Sequence, residues 1–126
     1  MTSHIFIIDD DPILRLLTRI MIQGINDKVI CHECKNGKVG MEALEPMLSS
    51  SYPLIVLLDI NMPVLNGWEF LDQLEKKEMN KLKNLKLYII TSSIDENDKL
   101  KAGQYPVVEK FYSKPLSIQD MKEILN

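Results

Sequence analysis

Cysteine is scarce in this chain, two residues in 126, which excludes a scaffold stapled by a disulfide framework. The two, Cys31 and Cys34, form a Cys-x-x-Cys with His32 inside it, the spacing of a redox or zinc motif. The segment from Lys28 to Cys34 reads as a strand, however, and positions three apart on a strand point to opposite faces. No second ligand pair completes a tetrahedral site, so both cysteines are expected to be small buried hydrophobes. Long apolar runs are also missing, and no stretch could cross a bilayer. The start, Met1-Thr-Ser-His4, lacks the basic region, apolar segment and cleavage site of a secretory signal. The expectation is a soluble, cytoplasmic protein with no membrane partner.

An excess of positive charge is absent as well. Fifteen Lys and Arg stand against eighteen Asp and Glu, a net charge of −3, which offers nucleic acid no general attraction. Lysines gather at Lys76, Lys77, Lys81, Lys83 and Lys86, but Glu75 and Glu78 interrupt them, and the run reads as a solvated helix end. The rest is ordinary globular composition, 45% hydrophobic and 26% charged. The length suits one domain, taken as residues 1–126.

The chain is organised around Leu54-Ile-Val-Leu-Leu58, an unbroken apolar run of strand length that ends in Asp59. A turn follows, with Asn61, Pro63, Asn66 and Gly67, before a helical pattern resumes. Such a run suits a central strand of a parallel sheet, covered on both faces. Ile5 to Ile8 is a similar run and ends in Asp9-Asp10-Asp11, where Asp11 can cap a helix opened by Pro12. That helix carries Ile13, Leu16, Leu17, Ile20 and Met21. Asp9 and Asp10 are left together at the strand end, where adjacent like charges read either as a solvated acidic turn or as the ligands of a shared divalent cation.

Gly24 to Asp27 breaks the first helix, and the Cys-x-x-Cys strand follows. A second helix runs from Lys38 to about Leu48, with Pro46 predicting a kink or early stop. A third spans Gly67 to about Lys77, and the polar run to Asn84 is a loop or frayed extension. Leu85 to Ile90 is a fourth strand ending in Thr91-Ser92-Ser93. A short polar helix from Asp95 to Gly103 has a weak apolar face. Val107 to Tyr112 is a fifth strand, ended by Ser113-Lys114-Pro115. Ser117 caps a last helix whose expected buried side is Ile118, Met121, Ile124 and Leu125. Five strands alternating with five helices read as a three-layer α/β sandwich around a parallel sheet.

In such a sheet the strand C-termini share one edge, where ligands collect. That edge would hold Asp9, Asp10, Asp59, Thr91 and Lys114. Mg2+ takes oxygen ligands and only one or two carboxylates from protein, which Asp10 and Asp59 can supply. A phosphoryl group beside it would find its charge offset by the Thr91 hydroxyl and the Lys114 ammonium. Asp59, placed centrally, can accept that group as an acyl phosphate.

These pieces, namely Ile8-Asp9-Asp10, Leu58-Asp59-Ile-Asn61-Met-Pro63 with Gly67, Ile90-Thr91-Ser92 and Phe111-Tyr-Ser-Lys114-Pro115, resemble a response-regulator receiver domain of the chemotaxis type. The resemblance covers essentially the whole chain. It implies a flavodoxin-like, doubly wound fold of strand order 2-1-3-4-5, with Asp59 phosphorylated by a sensor histidine kinase or phosphotransfer protein. It further implies Mg2+ on Asp10, Asp59 and the Asn61 backbone carbonyl, with Asp9 acting through a metal-bound water. Thr91 and Lys114 would contact phosphate oxygens, Phe111 would be the aromatic switch coupled to Thr91, and the peptide before Pro115 would be cis. The domain would catalyse its own phosphorylation and dephosphorylation, with Asn61 and Ser92 tuning the rate.

Three features stand out against the family pattern. Asn66 replaces a common acidic residue, Tyr105-Pro106 precedes the last strand in place of a Gly-Ala pair, and Trp68 is a partner contact or a packed cap. With no output domain expected after residue 126, output would pass to a further protein on the face made by the fourth helix, fifth strand and last helix, or the molecule would act as a relay or phosphate sink. Two alternatives stay open. One is a phosphatase of the haloacid-dehalogenase type, which wants a second carboxylate where Asn61 stands. The other is a binding module that has kept the fold without the chemistry.

Overall fold

In the computed structural model, residues 2–79, 82–92 and 95–126 are described; the readings of Lys81 and Ser93 lie outside them. Five strands, β1 (His4–Ile8), β2 (Ile30–Cys34), β3 (Leu54–Leu58), β4 (Leu85–Thr91) and β5 (Val108–Ser113), form one parallel sheet in the order β2-β1-β3-β4-β5. Five helices alternate with them: α1 (Pro12–Ile25), α2 (Gly37–Leu44), α3 (Gly67–Lys76), α4 (Glu96–Ala102) and α5 (Ile118–Leu125). This is the three-layer α/β sandwich that the order of elements implied, in the flavodoxin-like doubly wound arrangement that the family resemblance implied.

The central strands owe their composition to burial on both faces. Every residue of β1 and β3 is buried, and side chains alternate across the sheet. Phe6, Ile8, Leu54, Val56, Leu58, Leu87 and Ile89 pack with Met41, Leu44, Phe70, Leu71 and Leu74 of α2 and α3. Ile5, Ile7, Ile55, Leu57, Tyr88 and Ile90 pack on the other side with Ile22 of α1 and with Met121 and Ile124 of α5. The edge strands β2 and β5 are mostly exposed or half-buried.

Local signals set the helix ends. The Asp11 carboxylate accepts from the N–H groups of Ile13 and Leu14, with Pro12 next to it. Asn66 and Glu69 form a reciprocal capping box on α3, and Ser117 and Asp120 form another on α5. Pro46 acts as expected: α2 stops at Leu44 and a single 3-10 turn, Glu45–Met47, follows.

Two expectations are corrected by the packing. Ile118 is not on the buried side of α5 but 59% exposed, in the first turn of the helix, where it borders an open groove with Leu17 and Ile20 of α1. Cys34 is buried in one core cluster, whereas Cys31 is only half-buried and packs on the other, as opposite strand faces require.

Candidate functional site

Register brings the site together. Ile8 lies opposite Leu58, and the ladder continues one step past each strand: Asp9 N–H donates to Cys34 O at 3.0 Å and Asp59 N–H to Ile8 O at 3.0 Å. On the far side, Lys114 N–H donates to Thr91 O at 2.8 Å. Asp9, Asp59, Thr91 and Lys114 therefore stand in a row at the C-terminal rim.

The β3–α3 turn needs glycine at its close. A Cβ on Gly67 would lie 2.7 Å from both Asp59 O and Ile60 Cα, and Gly67 N–H donates to Ile60 O at 2.9 Å. Val64 and Leu65 in the same turn have φ of 54° and 74°, the left-handed region that a β-branched residue strongly disfavours.

Carboxylate oxygens of Asp9, Asp10 and Asp59 all lie within 4.8 Å of one another. Lys114 Nζ reaches Asp9 Oδ2 at 2.5 Å and Asp59 Oδ2 at 3.2 Å. Asp9 Oδ1 also accepts from Asp11 N–H at 2.9 Å. Asp9 and Asp59 are buried, while Asp10 faces solvent. Beneath the two buried aspartates a void of about 20 Å³ is walled by Ile7, Leu57, Ile90 and Leu116.

That apolar floor explains the electrostatics. Burial pushes the Asp59 carboxyl above its ordinary range; Lys114 opposes the shift, Asp9 adds to it, and hydrogen bonds from Lys114 and the Asn61 backbone oppose it. Burial also pulls on the Lys114 ammonium, but Asp9 and Asp59 outweigh it and hold Lys114 above its usual value. Three oxygen ligands around one spot, with a lysine already pairing two of them, form an acidic pocket able to bind a hard divalent cation.

Thr91 is fully buried at the end of β4, opposite Ser113. Phe111 is half-buried on β5 opposite Ile89 and packs on the α3 side of the sheet. The Lys114–Pro115 peptide is cis. Every sequence-derived site residue except Phe111 lies at or just past a strand C-terminus, and Phe111 lies two residues before the end of β5. The Cys-x-x-Cys segment supplies no comparable cluster. His32 Nε2 is instead 2.9 Å from His4 Nδ1, and among the described residues the acidic trio is the group suited to a metal.

The sequence reading missed two features. Arg15 Nη1 donates to the carbonyl of Asp9 at 2.6 Å; its signal was a basic residue one turn past the cap of α1. The apolar stripe of α1 is exposed rather than packed: Ile13 is 66%, Leu17 54% and Ile20 55% accessible.

A doubly wound sheet whose switch-point rim carries a buried central aspartate, two acidic neighbours and a lysine defines an α/β domain with an acidic ligand pocket at the C-terminal edge of its strands. The chain belongs to the response regulator receiver domain family, whose sequence model matches residues 5–126. It is 38% identical over 78 residues to the nitrate/nitrite response regulator protein NarL of Escherichia coli, a match over 62% of this chain and 34% of that protein. It is 30% identical over 110 residues to the sensor histidine kinase CheAY of Helicobacter pylori, covering 87% and 13% respectively. The sensory transduction protein LytT of Oceanobacillus iheyensis matches all 126 residues at 27% identity, over 48% of its own length. The chain thus spans less than half of each of these relatives.

A two-component response regulator from Cytophaga hutchinsonii superposes with a TM-score of 0.86 at 27% identity, covering 99% of this chain and 95% of that one. Chemotaxis protein CheY4 of Vibrio cholerae superposes at 0.80 with 16% identity, covering 99% and 97%, a likeness of fold alone. Receiver domains are signalling domains of two-component systems, and the phosphoacceptor role is general to the family. No described helix is long and apolar enough to cross a membrane.

Proposed function

We propose that Asp59 accepts a phosphoryl group from the phosphohistidine of a sensor histidine kinase or phosphotransfer protein. An Asp59 carboxylate oxygen forms the new P–O bond as the P–N bond breaks. The histidine nitrogen keeps the electron pair and takes up a proton. Asp10, Asp59 and the Asn61 carbonyl would hold Mg2+, with Asp9 acting through water; the bound ion supplies positive charge against the phosphoryl oxygens. Lys114, released from part of its pairing with Asp59, would bind one of those oxygens, and the Thr91 hydroxyl another.

The observation that carries this reading is the bridge of Lys114 between Asp9 and Asp59 over an apolar floor. It brings two carboxylates and an ammonium group together in one small pocket, which supports these roles for them. Asn61 two residues after Asp59 favours an acceptor that keeps its phosphoryl group over a phosphatase with an acid/base carboxylate there. The donor must approach from the rim, where the exposed stripe of α1 and Ile118 flank a groove of about 370 Å³ that reaches Asp9 and Lys114. We place the donor on that apolar face and the downstream partner on the face of α4, β5 and α5, with Thr91 and Phe111 linking the two.

Acetyl phosphate with Mg2+ is the test. The expected result is one phosphoryl group per chain by intact mass, not formed when the metal is chelated beforehand and absent in Asp59→Asn. Catalytic turnover of p-nitrophenyl phosphate would favour the phosphatase instead. Labelling that survives Asp59→Asn would remove the assignment.

A further inference from the structure

Arg15 is a charged residue in a poor place for one. Its side chain is only 15% exposed, and its Nε, buried, makes no hydrogen bond among the described residues. Leaving a guanidinium N–H unsatisfied out of water costs stability. The side chain is nevertheless held at both ends. Nη1 donates to Asp9 O at 2.6 Å, and Nε lies 3.5 Å from Glu33 Oε1 on β2. Glu33 is held in turn by Arg19 Nη1 at 3.0 Å on its other oxygen.

Asp9 O belongs to the peptide that joins Asp9 to Asp10. The Asp9 carboxylate is already fixed, Oδ1 by the Asp11 N–H and Oδ2 by Lys114. The Asp11 bond spans the Asp9–Asp10 peptide and narrows, without fully fixing, the rotation of its plane, which sets where the exposed Asp10 carboxylate points. A charge-assisted hydrogen bond to that carbonyl closes this freedom.

We propose that Arg15, braced by Glu33, is a positioning residue for the metal site: it fixes the Asp9–Asp10 peptide so that Asp10 faces Asp59. The inference rests on the reading of this pocket as a Mg2+ site. It concerns a residue that touches neither the ion nor the phosphoryl group. It also carries a sign that separates it from simple electrostatics. Removing a cation near an acidic pocket strengthens Mg2+ binding by Coulomb's law. Removing an orienting partner weakens it, by about ten- to a hundredfold where such partners have been replaced in metal sites.

Mg2+ titration by calorimetry on wild type, Arg15→Ala, Arg15→Lys, Glu33→Gln and Arg19→Ala provides the test, with Asp10→Asn as the reference for a lost ligand. Arg15→Ala is expected to weaken Mg2+ about tenfold or more. Arg15→Lys, which can still donate to the carbonyl, should recover to within about threefold, and Glu33→Gln should fall between them. Arg19→Ala, which removes the same charge and leaves Glu33 to pair with Arg15 alone, should bind as wild type or slightly tighter.

In metal-free protein the carbonyl carbon resonance of Asp9 should move in Arg15→Ala and return in Arg15→Lys. That measurement also serves if the alanine variant folds poorly, because the lysine and Glu33→Gln variants still report. A folded Arg15→Ala with wild-type or tighter Mg2+ affinity overturns the proposal. A wild-type protein that binds no Mg2+ overturns the reading of the pocket beneath it, a distinct outcome.

Discussion

At Asp59, burial and charge act in opposite directions, and burial wins. A carboxyl raised in the folded state binds its proton more tightly folded than unfolded. Stability therefore falls as pH rises from the ordinary carboxylate range through the raised value. Asp59→Asn should therefore stabilise the metal-free protein at pH 7. The gain should shrink as pH falls through the raised value and be gone below about 4, where both states are protonated. Urea denaturation at the two pH values checks this, and an asparagine variant less stable than wild type at pH 7 would contradict it. Asp9, Asp10, Asp59, Thr91 and Lys114 were readable from the sequence because each ends an apolar run and a parallel sheet sends such ends to one edge. Arg15 was not, because its bond to Asp9 depends on how α1 is rotated, and in the sequence it is simply a polar position on a helix.

Among the elements, α1 differs most from a simple pattern reading. Its apolar residues recur as on a buried helix face, but only Ile22 is fully buried, while Ile13, Leu16, Leu17 and Ile20 are exposed. Periodicity reports an apolar stripe without saying whether the chain itself or a second protein covers it. The double variant Leu17→Asp, Ile20→Asp should change stability by no more than about 0.5 kcal/mol, as exposed positions do. Labelling by acetyl phosphate should persist, while transfer from a phosphorylated protein donor slows about tenfold or more. Equal slowing of both reactions would place the stripe inside the pocket rather than at a docking face.

The short α4 is attached differently. Ala102 is its one fully buried residue among those described, and Leu100 is 70% exposed. Trp68 of α3 stacks on Tyr105 at 6.0 Å and lies beneath Lys101 Nζ at 4.6 Å. The Tyr105 hydroxyl donates to Asp72 at 2.7 Å, and burial together with that carboxylate pushes the phenol up to about 12. Trp68 is therefore a packed brace, and the unusual Tyr105-Pro106 pair ties the α4–β5 connection to α3. Tyr105→Ala removes the hydrogen bond and the ring stack, together worth on the order of 1.4 kcal/mol. Amide exchange in α4 should quicken about tenfold as a result, with protection in β1 and β3 unchanged. Faster exchange throughout the sheet would show that the brace supports the whole fold.

Across the whole molecule, the fold was the most legible part. Two all-apolar central strands, two half-exposed edge strands and alternating helices have few arrangements open to them. Strand order came from the family resemblance, not from any pattern in the residues. The rim site depends on that order: exchanging β1 and β4 around β3 would keep every local element and still rearrange the row of Asp9, Asp59, Thr91 and Lys114. Mg2+ with beryllofluoride, a mimic of the phosphoryl group, titrated into the protein and followed by backbone amide shifts, tests that convergence most directly. The account predicts saturable shifts at Asp10, Asp59, Asn61 and Lys114 that extend through Thr91 to Phe111 and α4 and vanish in Asp59→Asn. Shifts confined to surface away from this rim, or identical in Asp59→Asn, would contradict it.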